Sequence, residues 1–210
     1  MIPRHDITGL VLAGGRSSRM QRGSGNDIDK GLLLLNGMPL VEHAVRHLQP
    51  YVDSVLISAN RHLDDYARYG RVISDSPCFG EYAGPLAGIA TALQLIATPW
   101  MFVLPTDVAG LPDDLVLRLS HAAYNSDSGL IYAKFGSHDQ PLCAMMRTSL
   151  RRPVRDFLEQ GGRRVHEWMA SHNAQIVSFQ ESTSGVVNIN TPEDLWRAHP
   201  TMPNSAPGGG

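Results

Sequence analysis

The stretch that most constrains the fold is Leu10-Val11-Leu12-Ala13-Gly14-Gly15-Arg16-Ser17-Ser18-Arg19-Met20. A short apolar run bounded by glycines is the pattern of a buried strand, and residues 8–13 are expected to form the first one. Glycine lets a backbone turn tightly and approach a ligand with no Cβ in the way. The N–H groups bared by such a turn make an anion-binding concavity. Arg16 and Arg19 follow at once, and their planar donor forks suit phosphate oxygens. The stretch therefore reads as a strand running into a phosphate cradle. Two common nucleotide fingerprints do not fit it. A P-loop ends in Gly-Lys-Ser/Thr, and a dinucleotide fingerprint spaces its glycines at the first, third and sixth positions.

Further along, the pattern alternates. Asn36-Gly37 is a hairpin turn signal. Leu40, Val41, Ala44, Val45 and Leu48 recur at helical spacing after Pro39. Strands are expected over 52–58 and 71–74, with a short helix over 63–69 between them. Gly84-Pro85-Leu86-Ala87-Gly88 opens an apolar helix to about residue 97. The run 100–104 (WMFVL) has the all-apolar character of a central strand in a parallel sheet, and it stops at Pro105-Thr106-Asp107. A helix after Pro112, consecutive strands over 129–134 and 142–146, helices over 151–159 and 165–171 and a strand over 175–179 follow. Residues 186–190 are extended, and Thr191 caps a helix that starts at Pro192 with acids in its first turn.

Strand–helix alternation in the first half predicts an α/β fold, a three-layer Rossmann-like arrangement around a mostly parallel sheet. Residues 1–199 are expected to form a single domain, and the Pro/Gly-rich segment 200–210 a disordered tail. With a net charge of −2, general nucleic-acid binding is not expected. No apolar stretch is long enough to span a bilayer. Two cysteines far apart in sequence, Cys78 and Cys143, suit a reducing cytoplasm better than a disulfide or zinc scaffold.

In parallel sheets, ligands sit beyond the carboxyl ends of the strands. The polar residues expected there are Gly14 to Arg19, Asn60, Asp75, Asp107, Asn188 and Asn190. Asp107 closes the most apolar strand. A carboxylate there suits either a turn or a hard cation such as Mg2+, which takes one or two carboxylates plus substrate phosphates. Asn188 and Asn190 are two apart on an extended segment and so share a face; capping explains at least one of them. Lys30, beyond the polar glycine-rich loop 21–29, is either a solvated lysine or a cation that closes on phosphates. Asp75 and Asn60 suit a guanine base, a ribose or simple capping. His43 and His47 have i, i+4 spacing, but no HExxH completes it and a surface helix face is expected.

The stretches LVLAGGRSSRM, DKGLLLLNGMPL, SANRH, VISDS, GPLAGI, PTD and VVNINTPEDL, spread over residues 9–195, resemble the molybdenum cofactor guanylyltransferase family. The first is shared by many nucleotidyltransferases; DKGLL, GPLAGI and NINTPEDL together are more specific. The resemblance implies a Rossmann-like nucleotidyltransferase fold, Mg2+ as cofactor, and transfer of GMP from GTP to the phosphate of molybdenum-molybdopterin, with pyrophosphate released. It implies transient contact with pterin-delivering and pterin-accepting proteins. Carried over by residue, Leu12, Ala13, Gly14 and Gly15 hold the nucleotide, and Arg19 and Lys30 contact its phosphates as catalytic groups. Asn60 and Asp75 belong to the GTP pocket, Asp107 binds nucleotide and metal, and Asn188 and Asn190 lie on the pterin side. The loop 21–29 is longer than the link usual in that family. Two other readings compete: a cytidylyl- or sugar-phosphate nucleotidyltransferase, and a non-catalytic GTP-binding subunit.

Overall fold

A computed structural model of the 210-residue chain describes residues 1–13, 29–80, 83–180 and 185–198. Gly14, Gly15, Arg16 and Arg19 of the expected cradle, positions 21–28 of the polar loop, and the expected tail 200–210 lie outside the described residues. The strands are β1 (Ile7–Leu12), β2 (Leu34–Leu35), β3 (Met38–Pro39), β4 (Ser54–Ser58), β5 (Arg71–Ile73), β6 (Trp100–Pro105), β7 (Val108–Ala109), β8 (Leu130–Phe135), β9 (His138–Arg147), β10 (Gln175–Phe179) and β11 (Val187–Asn188). The helices are α1 (Leu40–Leu48), α2 (Leu63–Tyr66), α3 (Pro85–Leu95), α4 (Leu115–Tyr124), α5 (Arg151–Glu159), α6 (Val165–Ser171) and α7 (Pro192–Ala198).

Seven strands form the central sheet in the order β10-β8-β9-β6-β1-β4-β5. It is mostly parallel, as expected, with β9 antiparallel to both of its neighbours. Alternate side chains of each strand feed opposite faces. Ile7 and Val11 of β1 join Val41, Ala44 and Leu48 of α1 and Leu115 and Leu119 of α4 in one core. Leu10, Met101 and Val103 pack on the other face against Leu86, Ile89 and Leu93 of α3, Val154 of α5 and Trp168 of α6. These are the three layers. α3 is buried almost all round, from Leu86 to Leu93, because it lies between the sheet and α5; that explains why its sequence has no polar stripe.

Several sequence expectations shift at their edges: α2 ends at Tyr66 rather than residue 69, and α3 at Leu95 rather than about 97. β4 starts at Ser54 rather than residue 52. β9 begins at His138, well before the expected 142. Pro141 hid that extension: it has no N–H for a ladder, and it sits where pairing slips from Tyr132↔Ala144 to Ala133↔Gln140. The ladder is irregular there, with residues 141–143 skipped against β8, and pairing with β6 has already ended at Ala144, so the proline interrupts no paired position.

β1 pairs with β4 on one side and β6 on the other, both parallel. The chain thus runs outward from β1 to β4 and β5, then returns across β1 to β6. This reversal opens a crevice beyond the carboxyl end of β1, where open α/β sheets bind ligands. Ladder contacts continue past the strand ends here: Ala13 N donates to Ser58 O at 2.9 Å, and Thr106 N to Leu12 O at 3.1 Å.

Candidate active site

A cleft of about 260 Å³ occupies that crevice, and its walls include Leu12, Ala13, Lys30, Ser58, Asn60, Asp75, Gly88, Asp107 and Asn190. These residues, from seven separate stretches of sequence, therefore meet at one end of the sheet. β1, β4, β5 and β6 each deliver the residues just past their last paired position. Asn188 is exposed on β11 and is not part of this lining.

Asp107 follows Thr106 directly after β6. Its neighbours Val108 and Ala109 form β7, which pairs antiparallel with β11 as Val108↔Asn188 and Ala109↔Val187. Ile189 N donates to Asp107 O at 2.7 Å. This small ribbon carries Asn190 to the Asp107 side chain although 83 positions separate them in sequence. Gly110, at φ +71°, makes the crossing feasible, since a Cβ there would lie 2.5 Å from Gly185 O. The corner is closed by a capping arrangement at α7. Asp194 accepts from Asn190 N at 2.8 Å and Thr191 N at 2.9 Å, while Asp194 N donates to Thr191 Oγ1 at 3.3 Å. Those backbone donors, with the Thr191 hydroxyl, hold the Asp194 carboxyl below its ordinary range.

Lys30 completes this end of the cleft. Its ammonium donates to Asp107 Oδ2 at 2.9 Å and to Asn190 Oδ1 at 3.0 Å. The side chain is 13% exposed against 37% for Asp107. Lys30 is thus a held, largely buried cation, not the mobile one that its loop context suggested. It stands in a single 3-10 turn, Lys30–Leu32.

The other polar pair is Asn60 and Asp75. Asn60 Nδ2 donates to Asp75 Oδ2 at 2.9 Å, and Asp75 N returns a bond to Asn60 Oδ1 at 2.9 Å. The reciprocal bonds fix both side chains where β4 and β5 end. Ser58 Oγ reaches Asp75 Oδ1 at 3.5 Å. Gly88, in the first turns of α3, lies against this pair: a Cβ would fall 2.4 Å from Ser58 Oγ and 3.3 Å from Asp75 Oδ1. Only glycine leaves this wall open.

The sequence pointed to Asn60, Asp75, Asp107, Lys30 and Asn190, which line one cleft beside Leu12 and Ala13. Sequence reasoning missed Ser58, Leu142, Asp29 and Tyr66. Ser58 and Leu142 carry no signal, being ordinary residues of ordinary strands. Asp29 ends the stretch expected as a polar, glycine-rich loop, yet it is 4% exposed. Its carboxylate accepts from Tyr66 Oη at 2.5 Å and from Gly31 N at 3.2 Å, with the Arg61 guanidinium 3.8 Å away. Burial and the Asp29 carboxylate push the Tyr66 phenol far above its ordinary value. Burial, then the charge of Asp107, does the same to the Cys143 thiol.

No group of three or more His, Cys, Asp or Glu side chains that could cage a metal is found among the described residues. Asp107 alone is a poor resident metal site but suits Mg2+, which is commonly held by one or two carboxylates together with substrate phosphates and waters. Nor is any helix among the described residues long and apolar enough to cross a membrane.

The family model of the MobA-like NTP transferase domain matches residues 9–176. The molybdenum cofactor guanylyltransferase of Shewanella halifaxensis is 38% identical over 188 residues, covering 89% of this chain and 90% of the relative. That of Shewanella sp. MR-4 is 38% identical over 191 residues, covering 91% and 94%. Among solved structures, the molybdopterin-guanine dinucleotide biosynthesis protein A of Archaeoglobus fulgidus superposes with a TM-score of 0.70 at 21% identity, over 91% of this chain and 96% of that one. The inositol-1-phosphate CTP transferase of T. maritima does so with a TM-score of 0.71 at 12% identity, over 91% and 94%. At such identities the structural likeness speaks for the fold alone, which nucleotidyltransferases of different substrates share. The sequence matches go further, and by them the chain belongs to the MobA-like NTP transferase family, whose chemistry is typically metal-assisted.

Proposed function

We propose that this chain transfers GMP from GTP to the terminal phosphate of molybdenum-molybdopterin, giving molybdopterin guanine dinucleotide and pyrophosphate. The identity of the curated relatives supports the reaction over the cytidylyl, sugar-phosphate and non-catalytic readings. The observation that carries the site assignment is the cation–carboxylate–amide cluster of Lys30, Asp107 and Asn190 in the same cleft as the Asn60–Asp75 pair.

The chemistry asks little proton transfer of the protein. A phosphate monoester is already largely ionised at neutral pH, so an acceptor oxygen attacks the α-phosphorus of GTP without a general base. The bond from that phosphorus to the oxygen bridging to the β-phosphate breaks, and pyrophosphate leaves. Two anions must be brought together, and charge develops on the α-phosphoryl oxygens. Lys30 offsets that charge from a fixed position, as does Arg19 in this reading. Asp107 would hold Mg2+, which when bound neutralises phosphate charge and orients the triphosphate. Leu12, Ala13, Gly14 and Gly15 bind the nucleotide through backbone groups. Asp75, oriented by Asn60, accepts from the N1 and N2 donors of guanine, a pattern that cytosine and adenine lack. Asn190, with Asn188 beyond it, faces the pterin side. The setting is cytoplasmic, with brief contacts to proteins that deliver and accept the pterin.

Thermal shift with GTP, CTP and ATP in the presence of Mg2+, followed by pyrophosphate release with and without molybdopterin, tests this reading. GTP should stabilise most, and release should require the pterin. Preference for CTP, or GTP binding with no release when charged molybdopterin is supplied, would overturn it.

A further inference from the structure

The tyrosine of the short helix α2 is fully buried, with a hydroxyl that meets both ends of the segment 14–28. Tyr66 Oη lies 2.5 Å from Asp29 Oδ1, at the exit of that segment, and 3.3 Å from Ala13 O, at its entry. The single hydroxyl proton is shared unequally. The short contact to a carboxylate takes most of it, as charge-assisted bonds are the stronger kind, and the carbonyl of Ala13 receives the rest. Asp29 in turn binds Gly31 N at 3.2 Å, so the carboxylate closes the turn in which Lys30 stands. Gly31 is fitted to the tyrosine: a Cβ at that position would sit 2.4 Å from Tyr66 Oη.

Among the described residues this buried carboxylate meets a neutral donor, a backbone donor and a guanidinium 3.8 Å off, and a carboxylate is costly to keep in a core. Among the described residues its consequence is local: Lys30 stands between Asp29, which binds the Tyr66 hydroxyl, and Gly31, whose N–H binds Asp29. Lys30 Nζ is thereby held 2.9 Å from Asp107 and 3.0 Å from Asn190 rather than free in solvent.

We propose that Tyr66 and Asp29 are positioning residues for the proposed reaction: the Tyr66 hydroxyl, through Asp29, locks the 3-10 turn that aims the Lys30 ammonium at the phosphates. This rests on the reading of Lys30 given above. Neither residue touches substrate, so the effect of losing them runs through Lys30 and appears in turnover more than in KM for GTP.

The test compares Tyr66→Phe, Asp29→Asn, Lys30→Ala and the Tyr66→Phe/Lys30→Ala double variant in pyrophosphate release with GTP, Mg2+ and molybdopterin, each checked by thermal unfolding. Displacing a catalytic group by about 1 Å costs on the order of 100-fold in rate. Tyr66→Phe and Asp29→Asn are therefore expected to lower kcat roughly 10- to 100-fold with KM nearly unchanged, and the double variant to be no slower than Lys30→Ala. Gly31→Ala supplies a second arm: it should lower kcat in the Tyr66 protein and cost less in the Tyr66→Phe background, where the hydroxyl is gone and only ring carbons at 3.2 Å remain. If the Tyr66→Phe and Lys30→Ala losses multiply, or Tyr66→Phe turns over like the unaltered chain, the positioning role is wrong while Lys30 keeps its own. If Lys30→Ala itself turns over normally, both fall together.

Discussion

Gly88→Ala adds one carbon to the wall of the cleft, and its cost can be worked out from the contacts. The new Cβ would stand 2.4 Å from Ser58 Oγ, 3.2 Å from Ser58 Cβ and 3.3 Å from Asp75 Oδ1. Rotating Ser58 relieves the first contact but not the second, because its Cβ is fixed to the backbone of β4. Ser58 is 5% exposed, so the displaced hydroxyl has little free space to enter. Overpacking of this kind costs about 1–3 kcal/mol. Alanine is the better helix former by about 1 kcal/mol, which offsets part of it. A net loss of about 1 kcal/mol would lower Tm by roughly 2–4 °C in a chain of this size. The functional loss should be larger, because the methyl and the displaced Ser58 both press on the Asp75 carboxylate assigned to the base. A displacement worth about 1.4 kcal/mol of binding is a tenfold rise in Kd. Calorimetric titration with GTP and Mg2+ measures it, and Gly88→Ala/Ser58→Ala should recover part of the loss by removing the 2.4 Å contact. A Gly88→Ala protein with unaltered GTP affinity would refute the assignment of this wall to the base.

Asp75→Asn exchanges an acceptor-only group for one that also donates, so discrimination between GTP and ATP should shrink at little cost in stability; competition binding with the two nucleotides reads it. Lys30→Ala should lower kcat by on the order of 10²–10³, the usual loss for one preorganised charge at a transition state, with steady-state pyrophosphate release as the check. Burial lowers the pKa of His47, and the charge of Asp113 only partly opposes this. Its Nε2 is buried without a partner among the described residues. The unfolded chain therefore takes up a proton near the ordinary value of 6.5 while the folded chain still resists it. The contribution of neutral His47 is complete above that pH and is lost as pH falls below it. His47→Gln should flatten the acid side of a Tm-against-pH curve, and an unchanged curve would remove His47 from the account.

The architecture was legible because strand–helix alternation and all-apolar runs such as 100–104 report burial directly. The strand tips were legible for a related reason: Asp107 and Asp75 are charged residues placed straight after apolar strands, where only a site or a turn makes sense of them. Which tip meets which was not. Lys30 and Asn190 touch across 160 positions, and their meeting depends on the pairing of β7 with β11, a ribbon too short to leave a periodic signal. Ser58 is one serine among many until Gly88 is packed against it. Asp29 looked solvated because its upstream neighbours are polar; its burial follows from Tyr66, whose place in α2 says nothing about where its hydroxyl points. Pro141 concealed the first part of β9, since an irregular stretch of ladder obeys neither the strand nor the turn pattern.

In the proposed reaction a metal-bound triphosphate is gripped between Asp107 with Lys30 at one part of the cleft and the Asn60–Asp75 pair at another. Pyrophosphate release by Asp107→Asn, with GTP, molybdopterin and a titration of Mg2+, addresses it most directly. The account predicts a folded protein whose turnover is lost and is not restored by raising Mg2+. Turnover equal to that of the unaltered chain, with the same Mg2+ dependence, would contradict it.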